Sequence, residues 1–224
     1  MPGYYTAKLA AERLRACYDL APSRTRAYLE AEIEFVLART KPSMVVVELG
    51  CGYGRVLERL LPAVQVVVGI DTSLASLRMA SELTGSKPSL RLVCMDAISM
   101  GFRDRIFDLT LCVQNGLCAF AVDQQKLFRE ALRVTRSGGL VLFSSYTAEF
   151  WEHRLQWFEI QAAHHLIGEI DHQATGNGVI VCKDGFRATT ADRTTFEALA
   201  TGFGVTPRIT EVDGSSLFCE IVAP

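Results

Sequence analysis

Residues 45–55 read VVVELGCGYGR, an apolar β-branched run that leads into three glycines at alternate positions and then into a helix-like stretch. Such a run predicts a strand that is covered on both faces and is followed by a tight turn into a helix. The glycines allow the backbone to approach a ligand, because no Cβ stands in the way. A turn alone does not need three alternating glycines, so the stretch predicts a ligand-binding loop in an α/β protein.

The spacing of these glycines restricts the class of ligand that the loop can bind. Gly50, Gly52 and Gly54 form G-x-G-x-G, whereas dinucleotide-binding proteins favour G-x-G-x-x-G, and Arg55 stands where that third glycine would fall. The pattern therefore does not indicate a pyrophosphate. Glu48 places a carboxylate beside the turn, where it would repel phosphate and attract a cation.

Two further carboxylates end apolar runs. Asp71 closes the second run, and Asp96 follows the third with Ala97 after it. Asp71 can accept both hydroxyls of a ribose, or it can cap the helix that begins at Thr72 or Ser73. Asp96 can accept from the exocyclic amine of adenine. Because ligands of open α/β sheets bind at the carboxyl ends of the strands, these residues predict an adenosine site.

Together these stretches resemble the class I S-adenosylmethionine-dependent methyltransferase superfamily, from about Met44 to Tyr146. The resemblance implies that S-adenosylmethionine is the cofactor, with its methionine part at the glycine turn, its ribose at Asp71 and its adenine at Asp96. The expected cofactor-binding residues are Glu48, Gly50, Cys51, Gly52, Gly54, Asp71, Thr72, Asp96, Ala97 and Gln114.

The alternation of apolar runs and helical patterns predicts an α/β fold with a doubly wound, mostly parallel seven-stranded sheet. The five parallel strands are expected at residues 44–49, 64–70, 90–95, 107–113 and 140–145. Two closing strands, 208–212 and 216–222, flank Asp213-Gly214 and predict an antiparallel pair at the sheet edge. Helices precede the core, and a cap is inserted after the fifth strand.

The length of 224 residues predicts a single domain, 1–224. We expect an N-terminal helical cap over 1–43, a cofactor-binding core over 44–146, a substrate-cap insertion over 147–192, and a closing helix and strand pair over 193–224.

Composition argues against several classes of partner. A net charge of −2 leaves no broad positive field for nucleic acid, and no stretch approaches the roughly 20 apolar residues of a membrane span. We therefore expect a cytoplasmic protein without nucleic-acid or membrane partners. The seven cysteines are expected to be small buried hydrophobes, and neither they nor the four histidines are spaced for a metal site.

The segment after the fourth strand bears on the substrate. It lacks the Asn/Asp-Pro-Pro-aromatic motif of related enzymes that methylate base or amide nitrogens. Its Asn115-Gly116 pair is more similar to small-molecule methyltransferases of the glycine and amine N-methylating type. Gln114 is expected to place a carbonyl near the cofactor's ammonium, while Asn115 either faces the substrate or belongs to a polar loop that caps the next helix. The catalytic candidates are Asn115, Tyr146 and His172; the substrate-binding candidates are Tyr4, Tyr5, Asn115 and Trp151.

The expected reaction is methyl transfer to a small-molecule acceptor by in-line displacement, with the nucleophile (N, O or S) left open. Positioning and the exclusion of water can supply most of the acceleration. Two alternatives remain at this point. The chain could be a non-catalytic S-adenosylmethionine-binding protein, or a methyltransferase that acts on RNA or protein.

Overall fold

The computed structural model describes residues 3–224. Its helices are α1 (Tyr4–Lys8), α2 (Glu12–Asp19), α3 (Ser23–Leu37), α4 (Arg55–Leu60), α5 (Leu74–Thr84), α6 (Gly116–Ala119), α7 (Gln124–Val134), α8 (Trp151–Ala163) and α9 (Arg193–Gly202). Its strands are β1 (Val45–Leu49), β2 (Val66–Asp71), β3 (Leu90–Cys94), β4 (Phe107–Cys112), β5 (Thr135–Tyr146), β6 (Ile180–Val181), β7 (Arg187–Ala188), β8 (Arg208–Val212) and β9 (Ser216–Val222).

The central sheet has seven strands in the order β3-β2-β1-β4-β5-β9-β8. Strands β1 to β5 are parallel, while β9 runs antiparallel to both β5 and β8. The predicted fold class is thus confirmed, including the closing pair around Asp213-Gly214. Pairing of Glu48 with Gly69 on β2 and with Leu111 on β4 brings the ends of the three central strands to one edge.

Helices cover both faces of the sheet. Alternate residues of a strand point to opposite faces, and in the central strands both sets are mostly apolar and buried. Val46 packs in a buried cluster with residues of α3, α4 and α5, whereas its neighbour Val47 packs with residues of α7 and α9. Both valines are fully buried. This double covering explains why the strands are continuous apolar runs rather than alternating ones.

The boundary between α7 and β5 differs from the expectation. The fifth strand was expected at residues 140–145, but α7 ends at Val134 and β5 begins at once at Thr135. Gly139 lies inside the strand, and a Cβ there would be 3.0 Å from the carbonyl oxygen of Asp108 on β4. This glycine allows two backbones to approach at an irregularity in the β4–β5 pairing.

A separate apolar cluster joins the N-terminal helices to the segment after β5. It contains Tyr28 of α3, Tyr146 at the end of β5, Trp157 and Phe158 of α8, and Phe186 beside β7. The Trp157 Nε1–H donates to the carbonyl of Cys17 at 2.8 Å. The N-terminal helices and the segment after β5 therefore form one layer over the carboxyl ends of the central strands.

None of the helices within residues 3–224 combines the length and the apolar character that crossing a bilayer requires.

Candidate cofactor and acceptor site

A cavity of about 500 Å³ lies between the carboxyl ends of the central strands and the layer formed by the N-terminal helices and α8. Nine of the ten residues expected to hold the cofactor line it, and Gly54 does not. Tyr4, Tyr5, Asn115 and Tyr146 line it as well. Residues expected at three separate strand ends thus share one space.

The glycines of the turn have different tasks. Gly50 has a φ of 74°, and a Cβ there would lie 2.2 Å from the ring of Phe120, which also lines the cavity. Gly54 has a φ of 91° at the start of α4, and its Cβ would lie 3.0 Å from that of Ala80 on α5. Gly54, which was expected to face the cofactor, thus lies where it allows α4 and α5 to pack closely.

Glu48 is a buried carboxylate with an unsatisfied oxygen. Its Oε2 has no hydrogen-bond partner within residues 3–224. Burial raises the pKa of Glu48 to about 8, an effect that the nearby Arg55 guanidinium offsets in part and the Asp71 carboxylate increases. A cationic group beside Glu48 would restore its ordinary ionisation, because an opposite charge favours the carboxylate form.

Arg55 is a site residue that the sequence pattern did not reveal. It is the first residue of α4, it lines the cavity, and its Nε and one Nη are buried without a partner among the described residues. Its guanidinium lies 5.0 Å from the ring centroid of Tyr18. In the sequence, Arg55 was noted only as a departure from the dinucleotide motif. Its position directly after the glycine turn could have indicated that it lines the site.

Asp71 organises the loop after β2. One carboxylate oxygen accepts from the backbone N–H of Gly52 at 2.9 Å, and the other accepts from that of Ser73 at 2.7 Å. Burial raises the pKa of Asp71 while these backbone donors lower it. The cap of α5 is Ser73, whose hydroxyl accepts from the N–H of Ser76. Asp71 is thus not the direct helix cap that the sequence allowed.

The end of the cavity beside Asp96 is more open. Asp96 is exposed, and one of its carboxylate oxygens accepts from the N–H of Ile98 at 3.1 Å. Ala97 is buried beside it. Thr72 shares a 2.8 Å hydrogen bond with Thr6, so α1 lies across this edge.

The loop after β4 depends on a buried carboxylate from α3. Gln114 and Asn115 adopt left-handed backbone conformations, with φ of 56° and 62°. The Gln114 N–H donates to Glu32 at 2.8 Å, and Glu32 also accepts from the Ser216 hydroxyl. Burial raises the pKa of Glu32 to about 6, although these donors lower it. Sequence reasoning missed Glu32, because it lies on a helix far from the motif.

The side chains of Gln114 and Asn115 differ from the expectation. The Gln114 amide oxygen accepts from the Tyr18 hydroxyl at 3.1 Å, so its amide nitrogen is the unpartnered group. Asn115 donates to the carbonyl of Thr189 and accepts from the Ser145 hydroxyl, both at 2.9 Å. Both ends of the Asn115 amide are thus engaged within the protein, where they tie the loop to the cap.

Two other candidates lie away from the cavity. His172 is exposed in the loop before β6, and Trp151 is not part of the cavity lining. Trp157 and Phe158, further along α8, line the cavity in place of Trp151. His153, His164 and His165 are also exposed. His172, the catalytic candidate among the histidines, thus lies outside the cavity, because the cap turns its aromatic residues inward.

Across residues 3–224, no three His, Cys, Asp or Glu side chains converge in a way that could hold a metal ion. Six of the cysteines are buried and Cys94 is exposed, and all seven are free thiols.

The curated relatives of this chain are methyltransferases. A malonyl-[acyl-carrier protein] O-methyltransferase of Marinomonas sp. strain MWYL1 is 35% identical over 130 residues, which is 54% of this chain and 46% of that protein. A 2-methyl-6-phytyl-1,4-hydroquinone methyltransferase of Synechocystis sp. is 26% identical over 148 residues, 58% of this chain and 46% of that protein. The chain thus spans about half the length of these relatives.

Solved structures share the fold over nearly the whole chain. The PH0226 protein of Pyrococcus horikoshii superposes with a TM-score of 0.66 at 20% identity, covering 99% of this chain and 98% of that one. The N-methyltransferase NodS of Bradyrhizobium japonicum, solved in complex with S-adenosyl-L-homocysteine, gives a TM-score of 0.59 at 16% identity, with coverages of 90% and 88%.

A family model described as a methyltransferase domain matches residues 47–143. The match runs from β1 through most of β5, and so includes the glycine turn, Asp71, Asp96 and the loop after β4. Residues 47–143, the core of this chain, therefore match a methyltransferase domain, and their fold is the one that the solved N-methyltransferase shares.

Proposed function

We propose that this chain transfers a methyl group from S-adenosylmethionine to a small-molecule acceptor. The observation that carries the proposal is the convergence of unsatisfied polar atoms on one cavity. Glu48, Arg55 and Gln114 all line it, and each has at least one buried side-chain atom without a partner in residues 3–224. Buried polar groups are normally hydrogen-bonded, so such a set indicates a ligand.

The residues fit the methionine part of the cofactor. Glu48 provides a carboxylate for the ammonium group, and Arg55 provides unpartnered donors for the carboxylate group. The missing Cβ of Gly50 leaves room for the Phe120 ring, which lines the cavity beside the turn. Glu48 and Arg55 would thus hold the two opposite charges of one amino-acid group.

The remaining positions fit adenosine. Asp71 keeps acceptor capacity for ribose hydroxyls beside its two backbone donors, since a carboxylate has about four lone-pair sites. Asp96 retains a carboxylate oxygen for the exocyclic amine, with Ala97 as apolar surface. When bound, the cofactor supplies an electrophilic methyl group.

The chain's own contribution to the reaction is positioning. The cap rings of Tyr5, Tyr146, Trp157 and Phe158 line the far side of the cavity and would orient an acceptor and exclude water. Holding two reactants in line is worth several kcal/mol, on the order of 7–11 in the best intramolecular cases. Burial raises the pKa of Tyr146 to about 12, so this phenol stays protonated at neutral pH.

The size of the cavity favours a small acceptor. Ligand pockets span roughly 300–1,000 Å³, and this one, at about 500 Å³, has to hold the cofactor together with the reacting part of the acceptor. A net charge of −2 does not favour a nucleic-acid substrate. The two curated relatives are named for a malonyl group carried on an acyl-carrier protein and for a phytyl-substituted hydroquinone.

The division of labour follows from this assignment. We propose that residues 44–146 bind the cofactor, that 1–43 and 147–192 select the acceptor, and that 193–224 complete the sheet. The cytoplasmic location and the lack of nucleic-acid or membrane partners stay predictions.

Two measurements test the proposed function. Calorimetry should show one S-adenosylhomocysteine bound per chain, and incubation with methyl-labelled S-adenosylmethionine and fractionated cell extract should place the label in the low-mass fraction. Binding without label transfer to any fraction would instead identify a non-catalytic S-adenosylmethionine-binding protein. Label that accumulates in RNA or protein would show a macromolecular acceptor.

A further inference from the structure

Arg154 is the largest fully buried side chain of the described chain, at 1% relative exposure. It lies on α8, in the cap. Its guanidinium donates to the carbonyl of Gly178 at 2.8 Å and, more weakly, to that of Thr189 at 3.5 Å, while its Nε has no partner. No carboxylate among residues 3–224 is paired with it. A buried charge is costly unless it is paired, so the structure leaves a positive charge without its anion.

The Arg154 guanidinium lies directly behind residues that line the cavity. The guanidinium lies 4.7 Å from the ring centroid of Tyr146 and 5.6 Å from that of Phe158, and both rings line the cavity. Burial raises the pKa of both Tyr146 and Tyr5, and the guanidinium offsets part of that rise in each. Its field therefore reaches two tyrosines that line the cavity.

The two ends of the cavity differ in charge. The charged lining residues within 3–224 are Glu48, Arg55, Asp71 and Asp96; all four belong to the cofactor end, where the acidic ones are in excess. The cap end is lined by tyrosines, Trp157, Phe158 and Gln161, with Arg154 behind them. The positive charge of Arg154, acting from behind the Tyr146 and Phe158 rings, would repel a cationic amine there and favour an anion.

The cap end also offers no base. No histidine or lysine of the described chain lines the cavity, and the Tyr146 phenol remains protonated at neutral pH. An acceptor that had to lose a proton, such as an alcohol or an ammonium, would find no group to take it. A carboxylate needs none, because it is already ionised at neutral pH.

We propose that the acceptor is a carboxylic acid, bound as its anion with Arg154 as the specificity-determining residue, and that its carboxylate oxygen is methylated. This inference rests on the proposed function. The carboxylate oxygen forms a bond to the methyl carbon as the bond from that carbon to sulfur breaks, and the electron pair stays on sulfur. Anion and sulfonium become a neutral methyl ester and a neutral thioether, and no proton is released.

The chemistry of the product tests the acceptor class, and the acceptor itself need not be identified first. The enzyme is incubated with methyl-labelled S-adenosylmethionine and the low-mass fraction of a cell extract, and the labelled product is then treated with mild alkali. A methyl ester is hydrolysed and releases volatile labelled methanol, which is the expected result. N-methyl groups and aryl ethers keep their label, so alkali-stable label would overturn the carboxylate assignment while leaving methyl transfer intact. A lack of label in every fraction would instead contradict the proposed function, and this inference with it.

Variants test the part played by Arg154. Arg154→Gln should lower kcat/KM for the labelled acid at least about tenfold while S-adenosylhomocysteine affinity stays within about twofold. Arg154→Lys keeps the charge and should recover part of the loss, and Arg187→Gln, an exposed arginine of the cap hairpin, should change neither value. Wild-type turnover in folded Arg154→Gln protein would overturn the role of Arg154. If that variant does not fold, Arg154→Lys and the alkali test still decide the assignment.

Discussion

The Asp71 carboxylate combines a local task with its proposed ligand contact. It accepts two backbone N–H groups and so shapes the turn, and it faces the cavity beside Thr72. We predict that Asp71→Asn weakens S-adenosylhomocysteine binding by about 1.5–3 kcal/mol, through the loss of charged hydrogen bonds. Calorimetry measures the change, with Asp104→Asn, an exposed carboxylate outside the cavity, as the matched control. Unchanged affinity in a folded Asp71→Asn protein would remove the ribose assignment.

Glu48 should make cofactor binding depend on pH. Its pKa of about 8 means that the carboxyl of the free protein is mostly protonated at neutral pH, whereas a cationic ligand requires the carboxylate. Affinity for S-adenosylhomocysteine should therefore rise as the pH increases toward 8, by at most about tenfold per pH unit, and level off above it.

Titration calorimetry from pH 6 to 9 checks this dependence. Glu48→Gln is the control, because the ligand's own amine titrates identically with both proteins. The prediction fails if the two proteins show the same slope.

At the scale of secondary structure, the close contact between α4 and α5 depends on Gly54. A Cβ at this position would meet Ala80 at 3.0 Å, and its φ of 91° is unfavourable for other residues. We predict that Gly54→Ala lowers the free energy of unfolding by about 1–3 kcal/mol more than Gly85→Ala does. Gly85 is a suitable control because it also has a positive φ but nothing within 4 Å of its Cβ position. Equal losses in denaturant unfolding would show that backbone strain, rather than helix packing, accounts for Gly54.

Most elements could be predicted because their signals are local. The apolar runs indicated all five parallel strands, and Asp213-Gly214 marked the closing pair to the residue. The start of β5 could not be predicted in this way. Thr135 joins the sheet through its pairing with Phe107 and its hydroxyl contact with Thr110, and neither partner is near it in sequence.

At the scale of the whole molecule, we expect the cap to determine acceptor turnover and the core to determine cofactor affinity. Phe158 lines the cap end of the cavity, and the residues proposed to hold the cofactor lie on other elements. We predict that Phe158→Leu lowers acceptor kcat/KM by about tenfold through poorer positioning, while S-adenosylhomocysteine affinity changes less than about twofold. His172→Ala, in the exposed loop of the same insertion, should leave both values unchanged. Parallel losses of affinity and turnover in Phe158→Leu would show that the cap also holds the cofactor.

The sequence by itself determined the fold class, the glycine turn and the placing of Asp71 and Asp96 at one sheet edge. These follow from short patterns and from the rule that parallel strands bring their carboxyl ends together. Only the tertiary structure decided that Glu32 holds the N–H of Gln114 from 82 residues away, that Arg55 enters the cavity, and that the histidines stay outside it. It also buried Arg154 without an anion. The reason is physical: burial and charge pairing arise between residues distant in the chain, and no local pattern encodes which of them meet.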